Sequence, residues 1–222
     1  MLSAELQLVK KDIFHLCVLV QAQMHKAKET LLKFDKDLGY DVVMNEQKIE
    51  KWNHRIKQDC ESMLSLFRPS AADLRFVLAS FKIIHCLGRC ADFASWVSLY
   101  ISETESSFDK ALLNSCNMVQ MFEEIDAMMY AVHQAIDKDD SSFLKAVFEK
   151  DEMIGRYRLM AMDAIGKYIQ SNPEQSQRGL YLFSVVMKLE RVGDQLKSMA
   201  NEVIFYHEAT IHNHGKSNTS IS

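Results

Sequence analysis

The stretch Leu182-Phe183-Ser184-Val185-Val186-Met187-Lys188-Leu189-Glu190-Arg191-Val192-Gly193-Asp194-Gln195-Leu196-Lys197-Ser198-Met199-Ala200-Asn201-Glu202-Val203 decides the fold. Its apolar residues at 182, 185, 186, 189, 196, 199 and 203 recur in steps of three and four, the repeat of one face of an α-helix. Its centre, Glu190-Arg191-Val192-Gly193-Asp194, answers to Gly88-Arg89-Cys90-Ala91-Asp92, 102 residues earlier. Ile136-Asp137-Lys138-Asp139 answers to Phe34-Asp35-Lys36-Asp37 at the same distance. Asp151 through Tyr157 answers to Glu46 through Trp52 at 105 residues, so one loop differs slightly in length. The economical reading is an internal duplication of a three-helix unit.

The same period runs through most of the 222 residues, and the breaks are few. Leu38-Gly39-Tyr40-Asp41 reads as a helix end with a glycine C-cap. Pro69-Ser70-Ala71-Ala72-Asp73 reads as a stop followed by a Ser N-cap with an acidic residue at N3. Residues 102–107 are polar and aperiodic, Asp137-Lys138-Asp139-Asp140-Ser141 is a turn, and Asn172-Pro173-Glu174 places an N-cap before a first-turn proline. These breaks predict six long helices over about 3–36, 40–68, 70–103, 107–137, 140–171 and 173–208. The expected fold is all-α: two pseudo-repeated three-helix bundles of long antiparallel helices, residues 1–105 and 106–208, with a disordered polar tail over 209–222.

Composition agrees with a helical fold and narrows the function classes. Two prolines and seven glycines are too few for a turn-rich sheet protein. A charge of 26 basic against 30 acidic residues offers no footprint for nucleic acid. The longest near-continuous apolar run, residues 13–20, is too short to span a bilayer. Cys17, Cys60, Cys86, Cys90 and Cys116 are odd in number and lack CxxC spacing, which reads as reduced thiols in a cytosolic setting. No nucleophile–base set, phosphate-cradling glycine loop or dinucleotide fingerprint is present, so the sequence gives no positive ground for an enzyme.

The chemistry-bearing residues are carboxylates near the middle of the second and third helix of each unit. Glu46 and Glu50 are four apart and share a helix face, and Asp92 lies on the next helix at an equal distance from the Pro69 turn. In the second unit Asp151 faces Glu190 and Asp194 at matched distances from the Pro173 turn. Equal distances from an antiparallel turn mean equal heights, so each set is expected to meet across its hairpin. Solvated acids on long helices show the same i, i+4 spacing; the matched heights in two repeats set these apart. Crowded carboxylates need compensation, by Lys or Arg or by a hard cation or iron. Glu190 and Asp194 lie roughly 100–140° around the helix from the core stripe, which puts such a site on the surface. With no Glu-x-x-His in the chain, this argues against a ferritin-like oxidase.

Three motifs, Pro69-Ser70-Ala71-Ala72-Asp73-Leu74-Arg75, Glu190-Arg191-Val192-Gly193-Asp194 and Asn201-Glu202-Val203-Ile204-Phe205-Tyr206, resemble the phosphate-uptake regulator (PhoU) family. The resemblance spans about residues 4–208, in order and at the repeat spacing. It implies a pseudo-symmetric pair of three-helix bundles and, in some members, surface metal clusters. It also implies a cytoplasmic regulator of phosphate uptake and signalling, at the inner face of the membrane, that contacts a phosphate transporter or a sensor histidine kinase. Carried over, the metal carboxylates are Glu46, Glu50, Asp92, Asp151, Glu190 and Asp194, for iron, zinc, magnesium or manganese. Gly88 and Gly155 depart from that pattern, each standing where a carboxylate belongs. Each unit therefore keeps three of four ligands. A homodimer, the regulatory domain of a sodium–phosphate cotransporter, and a metal-dependent enzyme or metal store stay open as alternatives.

Smaller features have duller readings beside the sharper ones. His54 extends the Glu46–Glu50 stripe, and His85 precedes Asp92 among cysteines that read as packing. Trp52 and Tyr157 hold equivalent repeat positions and read as core anchors. Met121, Met128 and Met129 read as core filling, and Arg89 and Arg191 as partners for the acids. Arg68 and Arg75 flank the Pro69 turn, and His212-Asn213-His214 falls in the tail.

Overall fold

A computed structural model describes residues 2–217, with side chains through residue 208. Among the described residues seven α-helices follow one another: α1 (Leu2–Lys33), α2 (Lys36–Leu66), α3 (Ala71–Glu103), α4 (Lys110–Ser115), α5 (Met118–Lys138), α6 (Lys145–Ser171) and α7 (Ser176–Ser217). No strand occurs among the described residues. Helices α1, α2 and α3 form one unit and α5, α6 and α7 the other, joined where α3 packs on α7 and α1 on α5. Helix α2 packs on α1 and α3, and α6 on α5 and α7, so both lie on the outside of the molecule.

Burial reproduces the repeat residue by residue. On α2 the buried apolar residues Val42, Ile49, Ile56 and Met63 come every seven, the seam of a helix that touches its neighbours along one narrow stripe. Val147, Ile154 and Ala161 hold the same places on α6, 105 residues on. On α3 and α7 the matched pairs Leu87 and Leu189, Ala94 and Leu196, Val97 and Met199, and Ile101 and Val203 are all buried. One continuous core results, and truncating any of its leucines to alanine costs about 2–5 kcal/mol. Met121, Met128 and Met129 belong to that core, while Trp52 and Tyr157 pack against its edge. All five cysteines are free and buried. Burial pushes the thiols of Cys17 and Cys60 up to about 12, which keeps them protonated small apolar groups.

Helix ends follow capping chemistry, with three corrections to the sequence reading. At the Pro69 corner Ser70 and Asp73 form a reciprocal capping box, as the motif predicts. Gly39, expected to end the first helix, lies inside the first turn of α2. The chain turns earlier, where Phe34 takes a left-handed φ of 59° and the Asp35 carboxylate accepts from the Leu38 amide at 2.9 Å. Gly39 is there for close packing: a Cβ would sit 2.2 Å from Ser102 Oγ. The expected helix over 107–137 is broken into α4 and α5 at Asn117, whose left-handed backbone (φ 52°) interrupts the ladder. Asp139 closes α5 in the same left-handed region, and Asp140 caps the 3-10 turn that leads into α6. Pro173 opens a 3-10 turn before α7, although the Asn172 side chain turns back to donate to the Tyr168 carbonyl at 3.0 Å.

The connection between the units, residues 104–109, is held down by α7. Arg178 donates to the Ser106 and Ser107 carbonyls and stands 5.2 Å from the ring centre of buried Phe108. No helix among the described residues is long and apolar enough to cross a membrane. Helix α7 continues beyond residue 208; of the expected tail, residues 218–222 lie outside the described residues, as do the side chains of His212 and His214.

Candidate functional site

In the first unit the α2–α3 hairpin places Glu46, Glu50 and Asp92 along one open groove of about 770 Å³, with His54, His85 and Arg89 beside them. Ile49 and Ile56 are buried, which turns Glu46 and Glu50 toward the groove they line. Arg89 Nη1 donates to Asp92 Oδ2 at 3.2 Å, between two largely exposed side chains. Glu50 has no cation paired with it in the described structure, and the same holds for Glu46. At Gly88 a Cβ would meet Asn53 Nδ2 at 3.0 Å, so the missing side chain is what lets the Asn53 amide lie against α3.

In the second unit Asp151 stands against α7, its Oδ1 placed 3.5 Å from where a Gly193 Cβ would be. The Lys197 ammonium donates to Asp151 and also lies 3.8 Å from Asp194. The hydrogen bond to Asp151 holds the Lys197 ammonium above its ordinary range. Arg158 Nε meets Glu190 Oε1 at 2.6 Å, each side chain about 26% exposed. The Arg158 N–H is not aligned on that oxygen, so the contact is an ion pair by charge and proximity more than a directed hydrogen bond. Nothing lies within 4 Å of where a Gly155 Cβ would be.

The two patches adjoin. Asp92 and Asp194, with Arg89 and Arg191, line a 500 Å³ cleft between α3 and α7, where the Lys188 ammonium stands 4.7 Å over the Trp96 ring. The structure thus brings Glu46, Glu50 and Asp92 to one groove, joins Asp151 to Asp194 through Lys197, and pairs Glu190 with Arg158. Sequence reasoning missed Lys197 and Arg158. The spacing Asp194–Lys197 is i, i+3 and was available as a signal. Arg158 needed the height of its helix relative to Glu190.

As a metal-ligand set, the side chains in place do not fit. Among the described residues no three His, Cys, Asp or Glu side chains are gathered as an ion would require. The second patch is occupied by the chain's own cations, and both units have a glycine where a fourth carboxylate would stand. The thiols of Cys86 and Cys90 are raised by burial and take no part.

Fold and surface together define a class: a duplicated three-helix bundle with polar, charged outer hairpins. The model of the PhoU domain matches residues 13–100 and again 118–203, once in each unit, and the chain belongs to the PhoU family. It is 26% identical over 216 residues to the phosphate-specific transport system accessory protein PhoU homolog of Aquifex aeolicus, covering 96% of each chain. It is 24% identical over 206 residues to the homolog of the same name from Pseudomonas aeruginosa, covering 91% of this chain and 84% of that one. Among solved structures, PhoU from Pseudomonas aeruginosa superposes with a TM-score of 0.86 at 23% identity, over 94% of this chain and 100% of that one. The phosphate transport system regulatory protein PhoU from Streptococcus pneumoniae superposes with a TM-score of 0.79 at 20% identity, over 93% and 96%. At such identities the superpositions speak for the fold.

Proposed function

We propose that this protein is a regulator of phosphate uptake and phosphate signalling that acts in the cytoplasm by docking on a phosphate transporter, a sensor histidine kinase, or both. One observation carries the reading: the PhoU domain matches both units, and relatives aligned over nearly the whole chain are named accessory proteins of phosphate-specific transport. The physical character of the molecule supports it. Charged hairpins on one continuous core suit recognition of a partner.

Deletion of the gene tests the role. The expected result is phosphate uptake, and a phosphate-starvation reporter, that stay high in phosphate-replete medium and return to normal when the intact chain is restored. Uptake and reporter output unchanged by deletion overturn the proposal. Co-purification of the tagged chain with a phosphate permease or with a sensor kinase decides between the two partners.

A further inference from the structure

The seam residues that match at 105 between α2 and α6, and at 102 between α3 and α7, give every residue of one hairpin a counterpart in the other. Glu190 answers to Gly88, and Arg158, its partner at 2.6 Å, answers to Asn53, the neighbour of Gly88. Both members of the contact differ together: acid with base in the second hairpin, glycine with a neutral amide in the first. Lys197, bonded to Asp151 and 3.8 Å from Asp194, answers to Ser95, a small buried residue. So the unit that carries Glu190 also carries two cations that the other unit lacks.

We propose that the acidic patch of the second hairpin contains its own counter-cations, Arg158 and Lys197, and keeps its shape without a metal ion. The ammonium of Lys197 already lies between the two carboxylates, Asp151 and Asp194, that a bridging ion would need. A dication placed there would have to expel a like charge from a partly buried position, where Coulomb repulsion over a few ångströms is weakly screened. Glu190 is drawn to Arg158, a different cation. The fourth direction is empty, since Gly155 has no side chain and no neighbour within 4 Å of its Cβ position. Two of the three carboxylate charges in this patch are therefore balanced by the chain's own cations when it folds, whatever the metal supply. The inference rests on side-chain contacts and stands apart from the regulatory reading above.

Purified full-length protein is dialysed against Zn2+ and, separately, Mn2+, washed, and assayed for metal by mass spectrometry, with thermal unfolding measured with and without EDTA. The expected result is no metal that Asp151→Asn or Asp194→Asn releases, and the same melting temperature with and without chelator. Lys197→Met is expected to lower the melting temperature by roughly 2–4 °C, the shift a part-exposed ion pair gives in a chain this long. The double variant Lys197→Met with Asp151→Asn is expected to lose less than the sum of the two single losses. Bound metal that falls in Asp151→Asn or Asp194→Asn overturns the proposal. So do a melting temperature lowered by EDTA and strictly additive single losses.

Discussion

The α2–α3 and α6–α7 hairpins share a backbone plan and differ in how they treat charge. Their seams match in register, with Val42, Ile49 and Ile56 standing where Val147, Ile154 and Ala161 stand. Outside the seam the first hairpin leaves Glu46 and Glu50 open to a groove and holds Asp92 with one exposed arginine. The second binds Glu190 to Arg158 and Asp151 to Lys197 in partly buried contacts. Seam positions stay apolar in both hairpins although their sizes differ, Ile56 against Ala161 and Ala94 against Leu196. Surface positions are free to change as long as they change in compensating pairs, and Glu190–Arg158 against Gly88–Asn53 is such a pair.

The largest expected effect comes from removing one side of the shielded contact. Arg158→Ala leaves Glu190 three-quarters buried beside no cation and is expected to cost about 1–2 kcal/mol in urea unfolding, discounted for the exposed quarter. Arg89→Ala, which removes the cation beside Asp92 in the exposed patch, is expected to cost at most about 0.5 kcal/mol. Equal losses for the two would erase the contrast between the hairpins.

Transplanting the pair sharpens the same contrast. Gly88→Glu with Asn53→Arg rebuilds the second hairpin's contact in the first. A double-mutant cycle is expected to show a favourable coupling of about 0.5–1.5 kcal/mol between the two changes. A coupling of zero would mean that the first groove is too open for the contact to form.

The smallest effect concerns acid. His133 of α5 stands where the first unit has buried Leu31, with its ring 4.3 Å from that of Phe14 and no hydrogen-bond partner on either ring nitrogen among the described residues. Burial depresses its pKa below the ordinary 6.5, and Asp137 opposes this in part. A depressed folded pKa means that the neutral ring belongs to the folded state. Its stability contribution is complete above pH about 6.5 and is lost as pH falls through the folded value. His133→Leu is expected to flatten that decline between pH 7 and 5 in chemical unfolding, and an unchanged slope would remove His133 as a cause.

Much of this was legible in the sequence for a plain reason. The 3.6-residue period, the recurrence at 102 and 105 residues, and the capping chemistry at Ser70 are local or periodic signals, and they specified helices, duplication and the Pro69 corner. Gly39 and Asn117 misled because glycine and asparagine serve both as helix ends and as helix residues. Only the neighbours, Ser102 and Ser98 against Gly39, tell which role is in force. The antiparallel turn, used as a ruler, matches the gathering of Glu46, Glu50 and Asp92 along one groove and of Asp151 and Asp194 about Lys197, whereas Glu190 lies level with Arg158, two turns along α6 from Asp151. Arg89 beside Asp92 was legible as an acid's partner, but Arg158 was not, since it meets Glu190 across 32 residues of chain.

The sequence by itself determined that this chain is a twice-built helical unit with acids at matched heights on two hairpins, because periodicity and spacing are properties of the chain. Only the tertiary structure decided which cation each acid meets. That depends on the rotation and approach of packed helices, and a charge contact is made or lost over a few ångströms.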